Sequence, residues 1–184
     1  KLNPNIARDA SGQWLAETGP AIGDLDLAQL QRYDVRRLKP DSRYAQTYAQ
    51  QQPRDGERIP TLAALFDRVK QLRARHVRFN IETKLTPDDP KATVDPAAFA
   101  HALLAVIDAH GMAPRVSIQS FDWRTLREVQ RAAPAIATVC LTVRQNWMDN
   151  LSNGRWTLGI TPGEHGNMVP RMAKAAGCRV WSPY

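Results

Sequence analysis

The sequence predicts an α/β protein with parallel strands and covering helices, and two observations carry that expectation. From Thr61 onward, helical segments apolar on one side alternate with short strands apolar nearly throughout. Each helical segment also brings its own start and stop residues. Right-handed crossovers then leave two architectures, an open doubly wound sheet or a (β/α)8 barrel. Only four strands are visible in the 184 residues, whereas a complete barrel needs about 250. If the chain is a barrel, part of one is present.

Residues 1–60 are punctuated by Asn3-Pro4, Ser11-Gly12, Gly19-Pro20, Lys39-Pro40 and Gln52-Pro53. One short helix is expected over Leu27–Tyr33, with Asp26 as its N-cap. After Pro60 the chain becomes regular. Thr61 caps TLAALFDRVKQLRAR, whose Leu62, Leu65, Phe66, Val69 and Leu72 form a stripe at helical spacing. The strand VRFNIETK (77–84) follows. Asp95 and Pro96 open the helix PAAFAHALLAVIDAHG, which Gly111 closes. Next come the strand RVSIQS, a helix capped by Asp122 and stopped by Pro134, and the strand AIATVCLT. An irregular stretch covers 143–165. A helix over Val169–Ala176 ends at Gly177, and CRVW supplies the fourth strand.

Composition sets the outer limits. A hydrophobic content of 43% with 23% charged residues is that of a globular protein long enough to bury a core. No apolar run approaches the roughly 20 residues of a membrane span. The net charge of +7 brings nucleic acid into consideration. The basic residues are nevertheless spread along the chain and do not interleave with aromatics, so a solvated basic surface is expected and no nucleic-acid partner. No GxGxxG or GxxxxGK[ST] follows a strand. Cys140 and Cys178 lie far apart in apolar runs without zinc spacing. They read as buried thiols, and a pairing between them is not legible.

In VRFNIETK, alternation puts Val77, Phe79, Ile81 and Thr83 on one face and Arg78, Asn80, Glu82 and Lys84 on the other. In parallel α/β folds the functional groups sit at the carboxyl ends of strands. Four places qualify: Glu82 with Lys84; Gln119, Ser120 and Phe121; Thr142 and the loop beyond; and Trp181 with Ser182. Glu82 is a hard oxygen donor suited to Mg2+ or Ca2+. Lys84, two residues on, suits a phosphoryl oxygen. A solvent-exposed Glu–Lys pair explains the spacing equally well.

Taken together, NIETK and then IQSFDWRTLREVQRAAP one βα unit later resemble the glycerophosphodiester phosphodiesterase family. IPTLAALFD, the LTVRQNW loop and RVWSPY add to the likeness, which covers nearly the whole chain. It implies a partial (β/α)8 TIM barrel and metal-dependent hydrolysis of glycerophosphodiesters to glycerol 3-phosphate and an alcohol. The expected cofactor is a divalent metal, Ca2+ or Mg2+. By the same likeness Glu82 is the metal-binding glutamate and Lys84 the phosphate-contacting lysine. Gln119, Ser120 and Phe121 line the pocket, Asn80 supports Glu82 or, as favoured here, packs inside the barrel, and Trp181 fits either a substrate-side wall or a barrel interior.

The family's HRG histidine, its ExD pair and its second histidine do not occur in residues 1–184, nor does its last strand. His76, His101, His110 and His165 do not match those histidines. The chain is therefore expected to be a fragment of one barrel domain, with 1–60 a loop-rich insertion and 61–184 its βα units. Without acid–base groups worth about 10²–10⁴ in rate each, its own activity should be very low. Flanking strands left open invite oligomerisation. Two alternatives remain: a phosphate-ligand-binding domain without catalysis, and a related barrel phospholipase acting on lipid head groups. The Gln, Asn and Pro of residues 1–60 look like those of exported bacterial members, so a periplasmic or secreted location is expected over a cytoplasmic one.

Overall fold

A computed structural model describes all residues, Lys1–Tyr184. The chain divides into two units, Lys1–Thr61 and Leu62–Tyr184.

The first unit is mostly loop, with two short helices, α1 (Leu27–Leu30) and α2 (Arg43–Thr47). Asp26 caps α1 as expected and forms a reciprocal capping box with Gln29. The helix stops three residues earlier than its pattern suggested because it buries nothing. The sequence reading missed α2, which Ser42 starts by accepting from the Ala45 amide. Polar pairing organises this unit. Arg8 and Asp34 exchange both backbone hydrogen bonds, at 2.9 and 3.0 Å. The Arg8 guanidinium bridges Asp34 and Asp55, and Arg37 grips Asp55 with two hydrogen bonds of 2.7 and 2.9 Å. The Arg37 hydrogen bonds, supported by Arg8, pull the Asp55 carboxyl down to about 2.

The second unit carries the sheet. Its elements run α3 (Leu62–Gln71), β1 (Phe79–Glu82), α4 (Pro96–Ala109), β2 (Val116–Ser120), α5 (Trp123–Ala132) and β3 (Ala137–Thr142). A small antiparallel hairpin, β4 (Arg144–Gln145) with β5 (Met148–Asp149), precedes α6 (Val169–Ala175) and β6 (Val180–Pro183). The sheet order is β1-β2-β3-β6, all parallel. This is the expected alternation of parallel strands and helices, with β1 and β6 as open flanks.

Local chemistry explains the boundaries. Asp95 accepts from the Ala97 and Ala98 amides at the head of α4, with Pro96 in the first turn. Gly111, at φ 61°, ends it. Asp122 caps α5 and is fully buried. The core between sheet and helices contains Phe66, Ile107, Ile118, Trp123, Leu126 and Met172, each almost entirely removed from water. Trp123 is also tied down by its indole, which donates to the Leu141 carbonyl at 3.1 Å.

Two expectations change here. Cys140 and Cys178 are not free thiols but a disulfide, with Cα atoms 5.8 Å apart. Pairing of β6 alongside β3, which the sequence does not specify, brings the approach to β6 back past Cys140. The stretch 143–165 is less irregular than expected, since it opens with the β4–β5 hairpin. Its root is held by Asn150, a fully buried residue that accepts from the Val143 amide (2.8 Å). The Asn150 amide donates in turn to the Phe121 and Leu141 carbonyls (3.0 and 3.1 Å).

Candidate active site

The register of the sheet decides which expected residues meet. Glu82 pairs with Gln119, Gln119 with Val139, and Val139 with Val180. Residues in register on parallel strands point the same way, so Glu82 and Gln119 share a face with Asn80 and Lys84. The opposite face carries Ile81, Ile118 and Thr83, and packs on the helices; Thr83 is buried with its hydroxyl 2.7 Å from that of Thr125. The polar row of VRFNIETK is therefore the face turned away from the helical layer.

At the carboxyl end of β1, the Lys84 ammonium lies 3.1 Å from a Glu82 carboxylate oxygen. The Lys84 side chain is 80% exposed and that of Glu82 27%. The pair thus presents an exposed cation to solvent, anchored by a largely covered carboxylate. Asn80 does not reach Glu82. Its amide donates to Gln119 at 2.6 Å, and its carbonyl oxygen accepts from the Ser117 hydroxyl at 2.9 Å. Asn80 and Gln119 thereby form a cross-strand polar ladder below Glu82.

Ser120 and Trp181 fall elsewhere. Ser120 is fully buried, donates to the Thr83 carbonyl at 2.7 Å and accepts from the Asp122 amide. It latches β1 to the head of α5 and offers no surface to a ligand. The segment Gln119-Ser120-Phe121 is not one wall, because alternation turns Ser120 away from its neighbour. Phe121 is half-buried, and its carbonyl receives the Asn150 amide. Trp181 is in register with Cys140 and hence on the face opposite Glu82; its indole donates to the Thr142 hydroxyl at 2.9 Å. The arrangement brings together Glu82, Lys84 and Gln119, and leaves Ser120 and Trp181 outside.

Arg155 is a contributor the sequence reading missed. From the long loop after β3 it donates to the Pro87 carbonyl (2.7 Å) and pairs with Asp88 (3.0 Å). It thereby braces the loop that leaves Lys84. Nothing in its local pattern announces this, since the Pro87 carbonyl it meets lies 68 residues away.

The residues present do not by themselves make a divalent-cation site. Ca2+ takes about six to eight oxygen ligands and Mg2+ about six. No group of three or more His, Cys, Asp and Glu side chains in the chain is placed to hold a metal. No histidine hydrogen-bonds Glu82 or Lys84. His110, for example, is engaged with the Val106 carbonyl and Asp67. A cleft of about 690 Å³, lined by Ile6, Leu38, Tyr44 and Tyr48, belongs to the first unit and includes none of these residues.

Comparison with known proteins places this geometry. The chain resembles a candidate glycerophosphoryl diester phosphodiesterase of Silicibacter pomeroyi DSS-3, with a TM-score of 0.82 and 26% identity. That match covers 100% of this chain and 57% of the other. A candidate glycerophosphodiester phosphodiesterase of Galdieria sulphuraria shares the fold, with a TM-score of 0.56 and 20% identity over 88% of this chain and 48% of its own. The chain thus spans about half the length of the solved structures it matches. No protein of curated function matches it. The model of the glycerophosphoryl diester phosphodiesterase family matches residues 6–180, and with the parallel sheet and the NIETK strand in place, the chain belongs to that family.

Proposed function

We propose that the protein hydrolyses glycerophosphodiesters to glycerol 3-phosphate and an alcohol, and that this chain supplies part of the machinery. The observation that carries the reading is the Glu82–Lys84 pair, 3.1 Å apart at the carboxyl end of β1 with Gln119 beside it. Lys84 would hold a non-bridging oxygen of the diester and neutralise the negative charge on it as water attacks phosphorus and the P–O bond to the alcohol breaks. Glu82 would keep the ammonium oriented while the site is empty. It would also serve as one hard donor toward Ca2+ or Mg2+, a requirement supported by the family likeness and by the chemistry of the carboxylate. These 184 residues alone should turn over very slowly, because no acid–base group stands beside the pair.

Phosphate binding without catalysis is the second reading, favoured by the 80% exposure of Lys84. One experiment separates the two: glycerophosphocholine hydrolysis with Ca2+, with Mg2+ and with a chelator, on this chain and on the full open reading frame, each beside Glu82→Gln. Metal-dependent activity of the longer protein, lost in Glu82→Gln, upholds the hydrolase. Metal-insensitive ligand binding without turnover in either supports the binding reading. We also propose an exported location, supported by the Cys140–Cys178 bond, since structural disulfides persist in oxidising compartments.

A further inference from the structure

We propose a second phosphate-recognition site, at the amino-terminal end of the sheet and separate from Glu82 and Lys84. Residues 68–78 read RVKQLRARHVR, with five arginines and lysines and no acid. They end α3 and enter β1, and there they border a cavity of about 350 Å³ lined by Lys70, Arg73, Arg75 and Arg115. No carboxylate lines it. A cleft bounded by one sign of charge focuses its field into the cavity and raises the local concentration of counter-ions.

The four cations are not neutralised from within. Arg8, Arg37, Arg124, Arg131 and Arg155 all find carboxylates. Lys70, Arg73 and Arg75 make no side-chain hydrogen bond or ion pair, and the nearby Asp67 faces His110 instead. Arg115 is fixed by donating from Nε to the Val77 carbonyl (2.9 Å) and from Nη2 to the Ala74 carbonyl (2.8 Å). Its Nη1 is left without a partner.

The backbone supplies an independent sign. Three helices of this unit end in the same paired hydrogen-bond motif, in which one residue takes the left-handed conformation. In α4 that residue is Gly111 and in α6 it is Gly177, at φ 61° and 80°. In α3 it is Arg73, at φ 51°, with its amide on the Lys70 carbonyl and the Ala74 amide on that of Val69. A side chain is strained there and glycine is not. The fold thus spends stability to set a guanidinium on the lip of a cationic cavity. Guanidinium forks and an ammonium around one concavity match the oxygens of a phosphomonoester or an anionic phospholipid head group.

The test is calorimetric titration with sodium pyrophosphate and with inorganic phosphate, alongside co-sedimentation with phosphatidylcholine vesicles with and without phosphatidylglycerol. Saturable binding of the soluble anions supports a free-phosphate ligand, and binding only to phosphatidylglycerol vesicles supports a head group. The triple variant Lys70→Gln/Arg73→Gly/Arg75→Gln should weaken either by about tenfold or more, and by the same factor in a Lys84→Gln background, where the cation of the Glu82 pair is gone. Arg73→Gly alone should raise the melting temperature while it weakens binding, a split that a purely structural arginine would not give. Binding absent for every probe, unaltered in the triple variant, or abolished by Lys84→Gln would overturn the proposal.

Discussion

Breaking the Cys140–Cys178 bond is the perturbation with the best-defined cost. The two cysteines are 38 residues apart in sequence and join the centre of β3 to the entry of β6. In the chain-entropy account, the bond stabilises by restricting the unfolded chain, and a loop of this length corresponds to about 4 kcal/mol at 25 °C. With a urea m-value of about 2 kcal/mol/M, that is a midpoint shift of about 2 M. The assay is urea unfolding followed by far-ultraviolet circular dichroism, on oxidised protein and on protein held in a phosphine reductant, with thiols counted in both. A Cys140→Ala/Cys178→Ala variant should unfold at or below the reduced midpoint, because Cys140 is fully buried and alanine leaves a small void. Coincident midpoints, once the thiol count shows that the bond has been broken, would refute the loop-entropy reasoning. Two free thiols in oxidised, folded protein would refute the bond itself.

Replacing Asn150 by alanine removes one acceptor and two donor contacts from a fully buried position. The expected cost is about 2–4 kcal/mol, seen as a lowered urea midpoint with the m-value unchanged. In the first unit, the Asp55 carboxyl is held at about 2 against an ordinary 3.8. A depressed carboxylate stabilises above its unfolded value and ceases to do so as pH falls through the folded one. The amides around residues 34–57 should therefore lose hydrogen-exchange protection between about pH 4 and pH 2. Asp55→Asn should flatten that dependence, and an identical pH profile in the variant would count against the Arg8–Asp55–Arg37 network as its source.

Much of the second unit could be read from the chain because local signals coincide with global ones. Asp95, Pro96 and Gly111 bound α4 by their own chemistry, and Asp122 does the same for the start of α5. The period-two pattern of VRFNIETK assigned Glu82 and Lys84 to one face, and the register with Gln119 follows from simple parallel pairing. What stayed hidden depends on partners distant in sequence. Ser120 was grouped with Gln119 as a motif although alternation already set it apart, and its tie to Thr83 spans 37 residues. The same holds for Trp181, whose face depends on pairing with β3, and for Cys178, whose partner is chosen by strand order. In the first unit α2 escaped because it has no apolar stripe to announce it and buries no residue.

The long loop after β3 is pinned by Asn150 at its root, by Arg155 further along, and by the Trp156 carbonyl, which accepts from the Trp123 amide at 2.8 Å. Between the root and the strand end, residues 144–147 are all exposed, Trp147 at its tip being 63% exposed. The loop is thus a fixed frame with an exposed insert, in which Trp147 meets Tyr184 edge-on at 5.2 Å and Arg144 faces Asp149 at 3.8 Å. Variation, natural or by library, can be confined to Gln145 and Asn146 while Asn150 and Arg155 keep the strand ends and the Pro87 loop where they are. Substitutions there should sample new surface chemistry without being filtered for folding, whereas the same number spread across 150–157 would mostly select for repair of the frame.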